Sequence, residues 1–277
     1  MENSGKEKQA IRRLWSGLAA VNFNALRILL HKGTRPALNY VRFTHRLYSG
    51  YALPSAWSAL SWRSNLQIEQ IPVQDLFPDV DFSRSPELLF PFPRELSVYP
   101  HELMMLVRVI DCYQPMRVVE FGTAEGRTTL NIALHLPPGG EVITLDFPPI
   151  PGKNEVGYFY WEQPQKAKIK QIFSGVGTWD SASYRASADM VFCDACDQPA
   201  GLAEETLQAF TVVKPGGIIF RHDYGSAKGP TLFWNELSKE LPVRHLEGTT
   251  LLCLRVSTPE IYDKMQKMIA SGRFVVS

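Results

Sequence analysis

Along residues 98–277 the hydrophobic pattern keeps switching between two rhythms. Short β-rich apolar runs at 117–121, 141–146, 167–173, 189–193 and 217–221 are interleaved with helically spaced stretches at 125–136, 200–211 and 230–240. A further helix fits Pro100–Cys112, with proline in its first turn, and another fits 258–270. Such alternation predicts an α/β fold with a doubly wound, mainly parallel sheet covered by helices. Two last strands, near 243–246 and 250–256, are separated only by Glu247-Gly248-Thr249. So short a connection permits only a hairpin, so the seven-stranded sheet should end in an antiparallel pair.

The preceding part of the chain reads differently. Residues 1–64 look like helical pieces broken at Gly33–Pro36 and Gly50–Pro54, and 65–97 like a linker or surface wrap punctuated by Pro72, Pro78, Pro86, Pro91 and Pro93. The main domain is then 98–277. Net charge is +1, yet residues 1–64 hold ten Lys/Arg against only Glu2 and Glu7, so a basic extension precedes a mildly acidic domain. Within it, Ile11, Leu14, Leu18, Val21, Leu26 and Leu29 fall near helical spacing. This segment is expected to pack on the domain or on a second subunit, with peripheral contact to an anionic membrane as the alternative. The apolar run Leu18–Leu30 is too short and too polar to span a bilayer. Four scattered cysteines do not make a disulfide framework and favour a reducing, cytoplasmic setting. Cys193 and Cys196 form C-x-x-C, but no second pair exists to complete a zinc site, and Cys193 reads as a buried strand residue.

Candidate chemistry begins at Val118–Asp146. A strand runs into Gly122-Thr123-Ala124-Glu125-Gly126, a helix follows, and the next strand ends on Asp146. Glycines let a backbone approach a ligand closely, and an acid at the next strand end can accept hydrogen bonds from ribose hydroxyls. The spacing G-x-x-x-G after Glu120 differs from the G-x-G-x-x-G that wraps a pyrophosphate. An acidic Glu120 also suits a cationic ligand, and S-adenosylmethionine is one.

Four segments in order, VVEFGTAEGRTT, VITLDF, ADMVFCDAC and VVKPGGIIFRHDYG, resemble the class I S-adenosylmethionine-dependent methyltransferases. The last, followed by the FWNEL helix, is most similar to small-molecule O-methyltransferases, including catechol-like and macrocin-like relatives. The resemblance implies a Rossmann-like methyltransferase fold over about 95–256. It also implies that Glu120, Gly122, Thr123 and Gly126 shape the methionine end of the cofactor site and that Asp146 takes the ribose. Residues 175–180, with Thr178 and Trp179, would lie along the adenine, Trp179 stacking or capping it. Many relatives carry Asp-Ser where Gly175-Val176 stands, so backbone contacts are expected to replace side-chain ones there.

Methyl transfer to oxygen needs the hydroxyl aligned with the sulfonium methyl and a base or metal to take or acidify its proton. Asp194 and the pair His222-Asp223 follow two central strands, where ligands bind in open α/β sheets. Two readings stay open. Asp194, His222 and Asp223 hold a divalent cation such as Mg or Mn, or His222 is a general base oriented by Asp194 or Asp223. The metal-free or weakly metal-dependent reading is preferred. Where some relatives keep a further aspartate this chain has Cys196, with Asp197 one position out of register. The acceptor is expected to be a small hydroxylated metabolite or a glycosyl group. A second class is a scaffold of the same fold that binds the cofactor but turns over weakly. Nucleic acid is not an expected partner, because the main domain is slightly acidic and lacks interleaved basic and aromatic positions.

Overall fold

The sheet is assembled from strands buried on both faces, which is why their sequences are near-continuous apolar runs rather than alternating ones. In the computed structural model, which describes residues 66–91, 98–149 and 155–274, the strands are β1 (Gln70–Ile71), β2 (Arg117–Phe121), β3 (Glu141–Asp146), β4 (Ile169–Phe173), β5 (Ala188–Cys193), β6 (Val213–Arg221), β7 (Arg244–Leu246) and β8 (Leu252–Arg255). Their order is β1-β7-β8-β6-β5-β2-β3-β4. Pairing is parallel except where β8 inserts antiparallel between β6 and β7. The expected terminal hairpin is therefore present, and it places β8 inside the sheet.

Helices cover both faces: α1 (Pro100–Tyr113), α2 (Arg127–His135), α3 (Pro199–Val212), α4 (Lys228–Ser238) and α5 (Pro259–Ala270). The two-residue period of the strands sorts their side chains between two cores. Val118, Val142, Met190, Phe192, Ile218 and Phe220 join Leu103, Leu106 and Ile110 of α1 and Ile132 of α2. On the other face Val119, Phe121, Ile143, Leu145, Val191 and Ile219 pack with Phe210 of α3, Trp234 of α4 and Met265 of α5. Cys193 belongs to this second core, as its position in the strand implies.

One element departs from the expected seven-stranded sheet. Gln70 and Ile71, in the stretch read as linker or wrap, form an eighth strand parallel to β7. Tyr224 anchors it from inside, its hydroxyl accepting from the Gln67 and Ile68 amides at 3.0 and 3.1 Å and donating to Asn235 at 2.6 Å. A pair of residues is too short to show a period, which is why the pattern did not reveal it. The basic segment 1–64 lies outside the described residues, all of which belong to the unit 59–277. No helix among the described residues is long and apolar enough to cross a membrane.

Candidate functional site

Register brings the chemistry together. Phe121 lies level with Leu145 and with Cys193, and Cys193 with Arg221. The residues that follow these strands, Gly122, Asp146, Asp194 and His222, therefore emerge on the same carboxyl edge of the sheet, where open α/β folds bind ligands. The ladder continues one bond beyond the strands: Gly122 N donates to Leu145 O at 2.9 Å, Asp194 N to Phe121 O at 2.9 Å and His222 N to Cys193 O at 3.0 Å.

The glycine turn needs its glycines for two different reasons. Gly122 has φ +93°, and a Cβ there would run into the carbonyl of Asp194. Gly126 has φ +83°, and a Cβ would enter the ring of Tyr160. That ring is buried beneath the turn, its hydroxyl bonded to Gln171, whose amide donates to Thr123 Oγ1 at 3.1 Å. Backbone bonds from Gly157 to Ala124 O and from Phe159 to Glu125 O, both 2.9 Å, tie the 155–161 segment to the turn. Tyr160 is thus a support, whereas Tyr158 and Trp161 remain exposed with ring centroids 6.3 Å apart.

Asp146 holds the turn and keeps acceptor capacity. Its Oδ2 accepts from Ala124 N and its Oδ1 from Phe147 N, each at 2.7 Å, which leaves a lone pair on each oxygen. Glu120 lies deeper, with no exposed surface. Its Oε2 accepts from Thr144 Oγ1 at 2.6 Å and from Thr129 Oγ1. Thr144 and Thr123 hydroxyls lie 2.7 Å apart, so Thr123 belongs to the same network. Glu120 Oε1 is buried without a hydrogen-bond partner. Burial pushes this carboxyl up to about 8, against the two threonine bonds.

Trp179, expected to stack on or cap the adenine, is largely buried. Its ring is only 7% exposed and packs in the core against Phe121 and Tyr184, at centroid distances of 5.9 and 5.3 Å. Thr178 is nearer the surface, its hydroxyl donating to Gly175 O at 3.1 Å. Phe147, 68% exposed and directly after Asp146, is an exposed aromatic side chain on this edge, as is Phe173, which is level with Asp146 at the end of β4. A Cβ on Gly175 would meet the Phe147 ring at 3.0 Å, so glycine leaves room for Phe147 where a larger residue would crowd it.

At the second pair of strand ends, His222 is held on both sides. Nδ1 lies 3.0 Å from Asp194 Oδ1 and 3.4 Å from Asp223 Oδ2, and Nε2 lies 3.1 Å from Glu102 Oε2. Burial opposes the charged ring, but Asp194 and then Asp223 outweigh it and raise His222 well above its usual range. Asp194 is also raised, chiefly by burial. For Asp223, burial is overcome by the charge and hydrogen bond of His222 and by the Ser226 hydroxyl, and its carboxyl is held below its usual range. Asp223 adopts φ +66°, a left-handed conformation that aims its carboxylate back toward the ring. Asp194, His222 and Asp223 offer ligand atoms within 4.8 Å of one another, a donor set that fits a divalent cation.

Asp197 is not part of this group. It lies 3.7 Å from Arg221, which is buried and paired with Glu205 at 2.8 Å. Glu205 also accepts from Ala195 N at 2.9 Å, so the Arg221–Glu205 pair braces the loop after β5 from below. Neither this pair nor Glu102 stood out in the sequence: Glu102 meets partners 120 and 148 positions away, and Arg221 and Glu205, on consecutive elements, carry no motif that marks them as a pair.

A family model described as a methyltransferase domain matches residues 119–224, the segment that supplies the glycine turn, Asp146, Asp194, His222 and Asp223. No curated protein matches the chain. Among solved structures, an O-methyltransferase from Bacillus cereus in complex with SAH is similar at 15% identity, covering 58% of this chain and 84% of that one, with a TM-score of 0.44. The O-methyltransferase TomG from Streptomyces achromogenes, involved in tomaymycin synthesis and in complex with SAM, is 19% identical, with coverages of 70% and 94% and a TM-score of 0.45. A methyltransferase from Geobacter sulfurreducens is 16% identical, with coverages of 59% and 82% and a TM-score of 0.47.

Proposed function

We propose, from the premise that residues 119–224 form a class I S-adenosylmethionine-dependent methyltransferase domain, that this chain transfers the methyl group to a hydroxyl of a small molecule or glycosyl unit. The observation that carries the reading is the shared register that sets the glycine turn and Asp146 beside Asp194, His222 and Asp223. A cationic nucleoside cofactor fits the first half of this edge. Asp146 retains acceptor lone pairs for ribose hydroxyls, Phe147 offers an aromatic face for the base, and Glu120 supplies a buried acid with an unpartnered oxygen. S-adenosylmethionine supplies an electrophilic sulfonium methyl when bound.

Proton handling falls to the second half. With carboxylates against both ring nitrogens and its charge favoured, His222 has no free lone pair to act as a base. The geometry supports the reverse of the roles read from sequence: His222 orients Asp194 and offsets its charge, and Asp194 accepts the hydroxyl proton. Its raised pKa makes Asp194 the better base, whereas Asp223, held below its usual range, is a poor one. With the Nδ1 proton of His222 released, the same trio would instead hold a divalent cation, which would supply Lewis acidity at the hydroxyl.

Transfer of labelled methyl from S-adenosylmethionine to a panel of catechols, sugar nucleotides and polyols tests the reading. Methyl ethers should form, and Asp194→Asn should lower turnover at least about 100-fold, the scale of a general base. Methylamine products would contradict oxygen specificity. Repeating the assay in EDTA separates the two modes of activation: full activity in chelator removes the cation, whereas loss with rescue by Mg or Mn assigns it to Asp194, His222 and Asp223.

A further inference from the structure

The proton handling described above leaves unused the carboxylate on the far side of the imidazole. Glu102 stands in the first turn of α1, 120 positions before His222, and has no exposed surface. Each of its oxygens takes two partners. Oε1 accepts from Thr250 N at 2.6 Å and from Thr250 Oγ1 at 3.0 Å. Oε2 accepts from Tyr99 N at 3.1 Å and faces His222 Nε2 at 3.1 Å. A glutamate that only closes a helix N-terminus needs a single bond back to the capping residue. Here that bond accounts for one contact in four, and the others reach the turn between β7 and β8 and the ring at the end of β6.

We propose that Glu102 is the positioning residue of this site: it holds the proton on His222 Nε2, fixes the plane of the ring, and so presents Nδ1 to Asp194 and Asp223. The partner of one ring nitrogen decides what the other can do. Thr250 occupies the second oxygen from two directions, so the carboxylate cannot swing away, and α1 and the β7–β8 turn lock it to different parts of the sheet. With Nε2–H engaged, Nδ1 is aimed between the two aspartates, whether a proton or a cation lies there. A carboxylate behind a histidine in this way is the arrangement that orients imidazole ligands and raises their basicity. The effect on turnover rests on the methyltransferase reading; the effect on the ring does not.

The full chain with ¹⁵N-labelled histidine, saturated with S-adenosylhomocysteine, reads the state of each ring nitrogen by NMR. His222 Nε2 should carry a slowly exchanging proton. Glu102→Gln keeps the volume and a hydrogen-bonding group in the cap but loses the charge, and it should abolish that slow proton. In the same variant kcat should fall about tenfold or more while the S-adenosylmethionine KM stays within about twofold, and Glu102→Asp should fall between the two. A native Nε2 signal in Glu102→Gln would overturn the proposal. So would a variant that loses cofactor binding, melting temperature and turnover together, which is the signature of a helix cap alone. If the native chain methylates none of the panel, the NMR comparison still decides the role of Glu102, and the failure belongs to the functional reading.

Discussion

Glu120 is the residue whose burial is most at odds with its chemistry, because a carboxyl pushed up to about 8 is largely protonated at neutral pH in the free protein. An acid raised in the folded state contributes best below its unfolded value, near 4.5, and loses stability as pH climbs toward 8. Glu120→Gln should remove that loss. Its carbonyl can keep the bonds from Thr129 and Thr144 while its amide fills the place of the unpartnered oxygen. At about 1.4 kcal/mol per unit, the variant should gain up to about 4 kcal/mol on the native protein between pH 5 and 8. Melting curves across that range check this; a uniform loss at every pH would show that Glu120 is not the titrating group. The residues legible in the sequence, Glu120, Asp146, Asp194 and His222, share a simple property: each sits at or within a strand end flanked by recognisable apolar and glycine signals. Glu102 has no such marker. Within Pro100-His101-Glu102 it reads as an ordinary first-turn acid, and its partners beyond the cap residue Tyr99 are 120 and 148 positions away. Trp179, an aromatic in the expected adenine loop, packs in the core.

Among the elements, the turn from β2 to α2 determines the shape of the cofactor edge. Gly122 combines a left-handed backbone with close approach to the Asp194 carbonyl, so Gly122→Ala meets both backbone strain and overpacking. A loss of about 3 kcal/mol or more is expected, about 6–12 °C in melting temperature for a unit of this size, together with loss of S-adenosylhomocysteine binding. A native melting curve would contradict the fit described between the turn and the β5 end. Element type and order were readable because the strands are long enough for apolar runs and the helices long enough for a period. β6 already begins at Val213, earlier than expected, because Lys214-Pro215-Gly216-Gly217 looks like a turn by composition yet continues the strand through a register shift. β1 was unreadable for the reason its length gives.

For the molecule as a whole, the sheet edge gathers the glycine turn and Asp146 with Asp194, His222 and Asp223, where the proposed reading puts a cationic nucleoside and a hydroxyl proton. The basic residues of 1–64 are read as a packing or subunit-contact segment. On that reading the full chain and a Δ1–64 truncation should pellet equally with anionic liposomes, and preferential pelleting of the full chain would favour the membrane alternative. Calorimetric titration of S-adenosylmethionine into the full chain tests the central claim most directly. One site per chain is predicted, and Asp146→Ala should weaken it about 10–100-fold through loss of charge-assisted hydrogen bonds of about 1.5–3 kcal/mol each. No detectable binding by the native protein, or affinity unchanged in Asp146→Ala, would contradict the account.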